Sequence, residues 1–143
     1  MGTANYLNVL KTFTKAVDDL ALTDSNSDAI TFYPGNTDAE PPSSGQWGEI
    51  NMLPHDSDPL SKTDGAHENN GICQVSLYDA ETGAMPTALM TLADSLADEF
   101  KHGKSYEHFT DVKVFIQRVS LSAPRVVGRY FQADLSVYWT CYT

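Results

Sequence analysis

Four histidines, two cysteines and 19 acidic residues are the chain's raw material for chemistry. Histidine is the side chain that changes charge near neutral pH and the commonest metal ligand. Here His55, His67, His102 and His108 stand apart from one another, three of them in or beside polar stretches. No HExxH, CxxC or H-x-E with paired cysteines occurs, so no zinc site of known spacing is written in the chain. Asp56, Asp58 and the Asp64-Gly65 pair suggest calcium, but the D-x-D-x-D-G spacing with a glutamate at loop position 12 is not met. There is no GxSxG, P-loop or GxGxxG. Most carboxylates fall in turns, where aspartate supports backbone geometry. The expectation is a protein with no catalytic residue, no cofactor and no metal, and therefore not an enzyme.

Cys73 and Cys141 both fall on the inward-facing positions of predicted strands. Free cysteine is among the most buried residue types, and two small apolar core residues are expected. A disulfide would require neighbouring strands, and a cytosolic setting disfavours it.

The elements that must carry these residues follow from periodicity. Leu7, Leu10, Phe13, Val17 and Leu20 recur at three- and four-residue steps and predict a helix over 3–22, with Thr3 as its N-cap. Residues 29–33 are short and β-prone, an expected edge strand stopped by Pro34 and Gly35. Residues 36–45 are rich in Pro, Ser and Gly, hence a loop. Residues 47–53 and 69–79 read as two strands paired antiparallel. The connection over 55–68 is far longer than the usual hairpin loop, and is expected to project and stay mobile until a partner orders it. Leu89, Leu92, Ala93, Leu96 and Phe100 form the stripe of a second helix, with Pro86 at its first position and Gly103 at its end. Residues 112–121 read as a strand that turns through 122–125 into a final long run over 126–141. In that run Phe131, Ala133, Leu135, Val137, Trp139 and Cys141 alternate with polar residues, giving one dry face that the second helix should cover.

The expected fold is a single α+β domain over 1–143, a mostly antiparallel sheet of four to five strands with two helices packed on one face.

The net charge of −10 is unevenly spread. Residues 1–103 hold 4 Lys/Arg against 16 Asp/Glu, whereas residues 104–143 hold 5 against 3. An acidic protein is poorly suited to gripping phosphate backbones, where affinity comes from Lys and Arg. It suits a surface that DNA slides past. No run approaches a membrane span, and the first residues lack the design of a signal peptide. A soluble intracellular protein that does not engage membrane is expected. Tyr130, Tyr138 and Tyr142 lie on the final strand's polar face with Arg125 and Arg129 close by, a composition that suits a protein contact surface as well as half-exposed cross-strand pairs.

The order of elements and several local phrases resemble the tail terminator (tail completion) proteins of lambda-like long-tailed bacteriophages. The phrases are W-G-E-I-N-M-L-P before a long polar loop, the G-I-C-Q-V-S-L strand, the A-L-M-T-L-A-D-S-L-A-D-E-F helix and the closing R-Y-F-Q-A-D-L-S-V strand. The likeness spans most of the chain, although residues 36–45 have no counterpart. It implies a subunit of a hexameric ring that caps the tail tube, stops its polymerisation and offers the surface that joins the head. The implied partners are further copies of itself, the tail-tube protein and the head–tail connector proteins, with DNA passing through the channel without specific binding. The implied location is the head-proximal end of the virion tail, after assembly in the host cytoplasm. On this reading Asp56, Asp58, Asp64 and Glu68 in the 55–68 loop, with Arg118, Arg125, Arg129, Tyr130 and Tyr138 on the final strands, are the expected subunit or tube contacts. A head–tail connector or neck protein, a binding adaptor using the Tyr/Arg face, and a metal-assisted hydrolase with its site in the 55–68 loop are the alternatives.

Overall fold

Alternating side chains at the end of the chain create the surface on which the rest folds. In the computed structural model, which describes residues 6–34, 45–53, 56–59, 67–80, 85–109 and 112–142, the elements run as follows. Helix α1 spans Tyr6–Asp19, and strands β1 (Phe32–Pro34), β2 (Gln46–Met52), β3 (Asp56–Pro59) and β4 (His67–Asp79) follow. Then come helix α2 (Thr87–Glu99) and strands β5 (Ser105–Phe109), β6 (Val112–Leu121), β7 (Arg125–Val127) and β8 (Tyr130–Tyr142).

The strands form one sheet in the order β1-β2-β4-β8-β6-β5, with β3 added beside β4 and β7 beside β8. It curls into a half-barrel. This corrects the expected four to five antiparallel strands: the sheet is larger and it is mixed, because β1 runs parallel to β2. The additional strands are short and carry little apolar periodicity. In β5 only Tyr106 is buried among its described side chains. The expected continuous run over 126–141 is two strands. It folds back at Gly128, whose φ of +62° a residue with a Cβ rarely adopts. Val127 pairs with Tyr130 across the two-residue turn, and glycine at the first central position is the mark of a type II′ hairpin. The span expected as a loop over 55–68 contains β3, paired antiparallel with residues 67–70 of β4. Residues 54–55 and 60–66, Asp64 among them, lie outside the described residues, as do Thr3 and residues 36–44 of the loop expected over 36–45.

One face of the sheet is dry. Cys73, Val75 and Leu77 of β4, Ala133, Leu135, Val137, Trp139 and Cys141 of β8, and Val114 and Ile116 of β6 are all buried in a single cluster with both helices. Helix α2 supplies Leu89, Leu92, Ala93 and Leu96, and α1 supplies Val9, Phe13, Ala16 and Val17. The stripe of α1 is therefore rotated from expectation, since Leu7 is 51% exposed. Phe13 meets Phe100 with ring centroids 5.7 Å apart, joining the two helices. Thr12, buried on the same helix, donates its hydroxyl to the Asn8 carbonyl at 2.7 Å, which meets the need of a buried polar group for a partner.

Helix α2 is capped at its C-terminus by Phe100, whose backbone N–H donates to the Leu96 carbonyl. Its last residue, Glu99, takes a hydrogen bond from the Tyr106 phenol and an ion pair from Lys104 at 3.0 Å, which fastens α2 to β5. Burial pushes the Tyr106 phenol up, as does its bond to Glu99. For Glu99, burial acts to raise the pKa, but the Tyr106 and Lys104 contacts outweigh it and hold the carboxyl below its usual value. Cys73 and Cys141 are both buried, and burial raises the pKa of each thiol.

Candidate functional site

The second face of the sheet, turned away from the helices, gathers the polar members of each alternation. Its centre is Asp134 of β8. Ser76, opposite it on β4, donates its hydroxyl to Oδ1 at 2.7 Å. Gln132 donates Nε2 to the same oxygen at 2.9 Å. Arg125 of β7 places Nη2 at 2.7 Å from Oδ2. Ser122, in the turn before β7, accepts the Asp134 backbone N–H at 2.9 Å. Burial alone would raise the Asp134 carboxyl, but the bonds from Ser76, Gln132 and Arg125, together with the Arg125 charge, outweigh it and hold the pKa below the ordinary value. Both carboxylate oxygens are thus occupied, and the network clamps β7 onto β8.

A bulge in β6 decides where Arg118 goes. Val114 and Ile116 face the core, so strict alternation would send residue 118 there too. The register shifts between Ile116 and Arg118, so that Val119 packs against the core and Arg118 turns outward beside Tyr138. Its guanidinium lies 3.7 Å from the centre of the Tyr138 ring, a cation–π contact of about 0.5–1 kcal/mol at an exposed site. At the far edge of this face Trp47 is buried under two rings. Tyr78 stacks on it with centroids 5.3 Å apart, and Tyr130 meets it edge-on at 4.8 Å.

The residues picked out by sequence are distributed along β8 instead of being clustered. Arg125 and Tyr130 belong to the end where β7 pairs with β8, and Arg129 is exposed in the turn between them. Tyr138 and Arg118 sit together further along. Asp56 and Asp58 are in β3, and Asp58 stands directly opposite Glu68. Glu68 in turn pairs with Tyr142 at the other end of β8. Ten residues separate Tyr142 from Gln132, the partner of Arg125, or roughly 33 Å at the rise of an extended strand. The backbones of Asp56, Asp58 and Glu68 are therefore held far from those of Arg125 and Arg129 within one subunit. Among the described residues no group of three or more His, Cys, Asp or Glu is placed to hold a metal ion, and no described helix is long and apolar enough to cross a membrane.

Sequence reasoning missed a groove on the helix side, of about 280 Å³, between α2 and the turn from β6 to β7. It also missed that the β7 hairpin leaves Val126 63% exposed. The signal was present in V-V-G-R-Y, where glycine precedes a single residue before the chain returns as strand.

What these surfaces define is a domain built on a curled mixed sheet, with a polar and aromatic outer face and an apolar hairpin at one end. No family model matches the chain, and no curated protein matches it. A solved structure that carries only a sequence identifier for a name shares the architecture with a TM-score of 0.69, over 97% of this chain and 96% of that one, at 14% identity. A likeness at that identity shows the fold alone.

Proposed function

We propose that this chain is a structural subunit of a phage tail, a tail terminator whose copies close into a ring, most simply a hexamer, at the head-proximal end of the tail tube. The observation that carries the reading is the polarity of the subunit along β8. Asp56, Asp58 and Glu68 lie toward one end, and Arg125 and Arg129 toward the other. Such a subunit presents unlike ends to its neighbours, and head-to-tail contacts of this kind generate rings when the rotation closes. Arg118 over Tyr138 adds an outward cation and ring of the type enriched at protein contacts. A second support is that the phrases resembling tail terminators, W-G-E-I-N-M-L, G-I-C-Q-V-S-L and R-Y-F-Q-A-D-L-S-V, fall, but for Leu53 and Arg129 at their ends, in the adjacent strands β2, β4 and β8.

In this reading the ring stops addition of tube subunits, provides the head-joining surface, and lets DNA pass an acidic protein that does not hold it. Its partners are its own copies, the tail-tube protein and the head–tail connector. The test is genetic. Inactivating the gene in its phage should leave full heads and tails of uncontrolled length that do not join. Tails of normal length attached to no heads would instead place the chain in the neck, and normal virions would overturn both positions.

A further inference from the structure

Seven large apolar side chains are prominently exposed among the described residues, and three of them, Met90, Leu121 and Val126, lie at one end on the helix side of the sheet. Met90 and Leu121 line the groove between α2 and the β6–β7 turn, at 43% and 41% exposure, with Ala93 and Pro124 at its floor and Asp94 at its rim. Val126 stands beside it. It pairs with Phe131, two positions from Ala133, which also lines the groove, so its side chain shares the helix side of the sheet. Apolar side chains gathered in this way on a soluble domain mark an interaction site.

Charge indicates what covers it. From Lys113 to Ala133 the chain carries Lys113, Arg118, Arg125 and Arg129 and no acid, in a protein of net charge −10. Helix α2 is the reverse, with Asp94, Asp98 and Glu99 and no base. Arg125 is taken up by Asp134, while Arg129 is exposed at the hairpin turn, two residues beyond Val127. An apolar wedge with a cation at its tip, and an apolar groove with an acid at its rim, are thus both present on one chain.

We propose that the groove beside α2 is the docking site for the β7–β8 hairpin of a second copy, with Val126 against Met90 and Leu121 and Arg129 against Asp94. Because wedge and groove lie side by side, a copy that inserts its hairpin brings its own groove to the first hairpin. The contact is self-complementary and closes as a two-fold pair. This pair does not rest on the ring reading. If both hold, they compete for the hairpin, so the pair is a form of the free subunit that ring closure must displace.

Sedimentation of the full chain over a concentration series tests it. A species of two subunits is expected, with its dissociation constant raised about tenfold or more by Val126→Asp or by Met90→Asp, as loss of a central contact does. Both sites are surface positions, and an unchanged circular dichroism spectrum verifies folding. Asp94→Arg and Arg129→Asp should each weaken the pair, and the double variant should restore it, a rescue that misfolding cannot produce. A monomer at every concentration, or a dimer indifferent to Val126→Asp and to the charge swap, would overturn the proposal. A hexamer as the sole species in solution would overturn it as well while leaving the ring reading standing.

Discussion

Asp134 shows how a single carboxylate organises a surface. Its oxygens accept from Ser76, Gln132 and Arg125, and those bonds hold its pKa below the ordinary 3.8 despite its burial. A carboxyl whose pKa is depressed on folding stabilises the native state at pH values above the ordinary one, and that contribution is lost as the pH falls through the folded value. Asp134→Asn should therefore cost most stability near neutral pH, and the gap from wild type should close as the pH drops below 3.8. A gap that stayed constant into strong acid, measured by denaturant titration, would show that shape and not charge holds the network. Gly48 makes a second residue-level test. A Cβ there would lie 2.6 Å from the Phe32 ring and 3.1 Å from the Ser76 carbonyl oxygen. Its neighbours are a ring packed on the core and a backbone atom of β4, so Gly48→Ala should cost about 1–3 kcal/mol, as overpacking does. A loss under about 0.5 kcal/mol would mean that the β1 edge yields freely.

At the scale of elements, what could be read from the sequence was what repeats. Helix α2 announced itself through Leu89, Leu92, Ala93 and Leu96, all buried, and β8 through alternation that the buried positions from Ala133 to Cys141 reproduce. Leu96 is fully buried in the cluster shared by α2, β4 and β8. Leu96→Ala should cost about 2–5 kcal/mol in chemical denaturation, the range for a large-to-small core change that leaves a cavity. A cost under about 0.5 kcal/mol would show that α2 does not rest on the sheet. The short edge strand β1 was legible as β-prone residues, two of which, Phe32 and Tyr33, pair at the sheet edge, but its partner was not. Illegible were the elements held by pairing alone. Strands β3 and β7 have only four and three residues, too few for a period to show, and their backbone bonds come from neighbours that are distant in sequence or hidden behind a turn. Parallel pairing of β1 with β2 leaves no turn signature to read. The β6 bulge breaks the alternation at the one place where it matters for Arg118. The candidate surface was legible as composition, tyrosine and arginine on a polar face, but not as geometry. Nothing in the order of residues says that Arg118 covers Tyr138 or that Asp134 has already engaged Arg125.

For the whole molecule, charge and shape point the same way. Acids concentrate in the first 103 residues and cations in the strands that follow. The β3–β4 acids and the arginines at the β7 end are held apart along the length of β8. Charges on a protein surface contribute little to the stability of one subunit, but they direct how subunits approach one another. A ring built on such contacts should loosen at high salt, because screening acts on exposed pairs over a Debye length of about 10 Å at 0.1 M. The proposal that this protein ends a tube can be tested on the tube itself. The most direct measurement is electron microscopy of tube length when the purified protein is added during polymerisation of its phage's tail-tube protein. The account predicts tubes that stop growing and carry a ring at one end. Tubes that lengthen as fast with the protein as without it, and bear no ring, would contradict it.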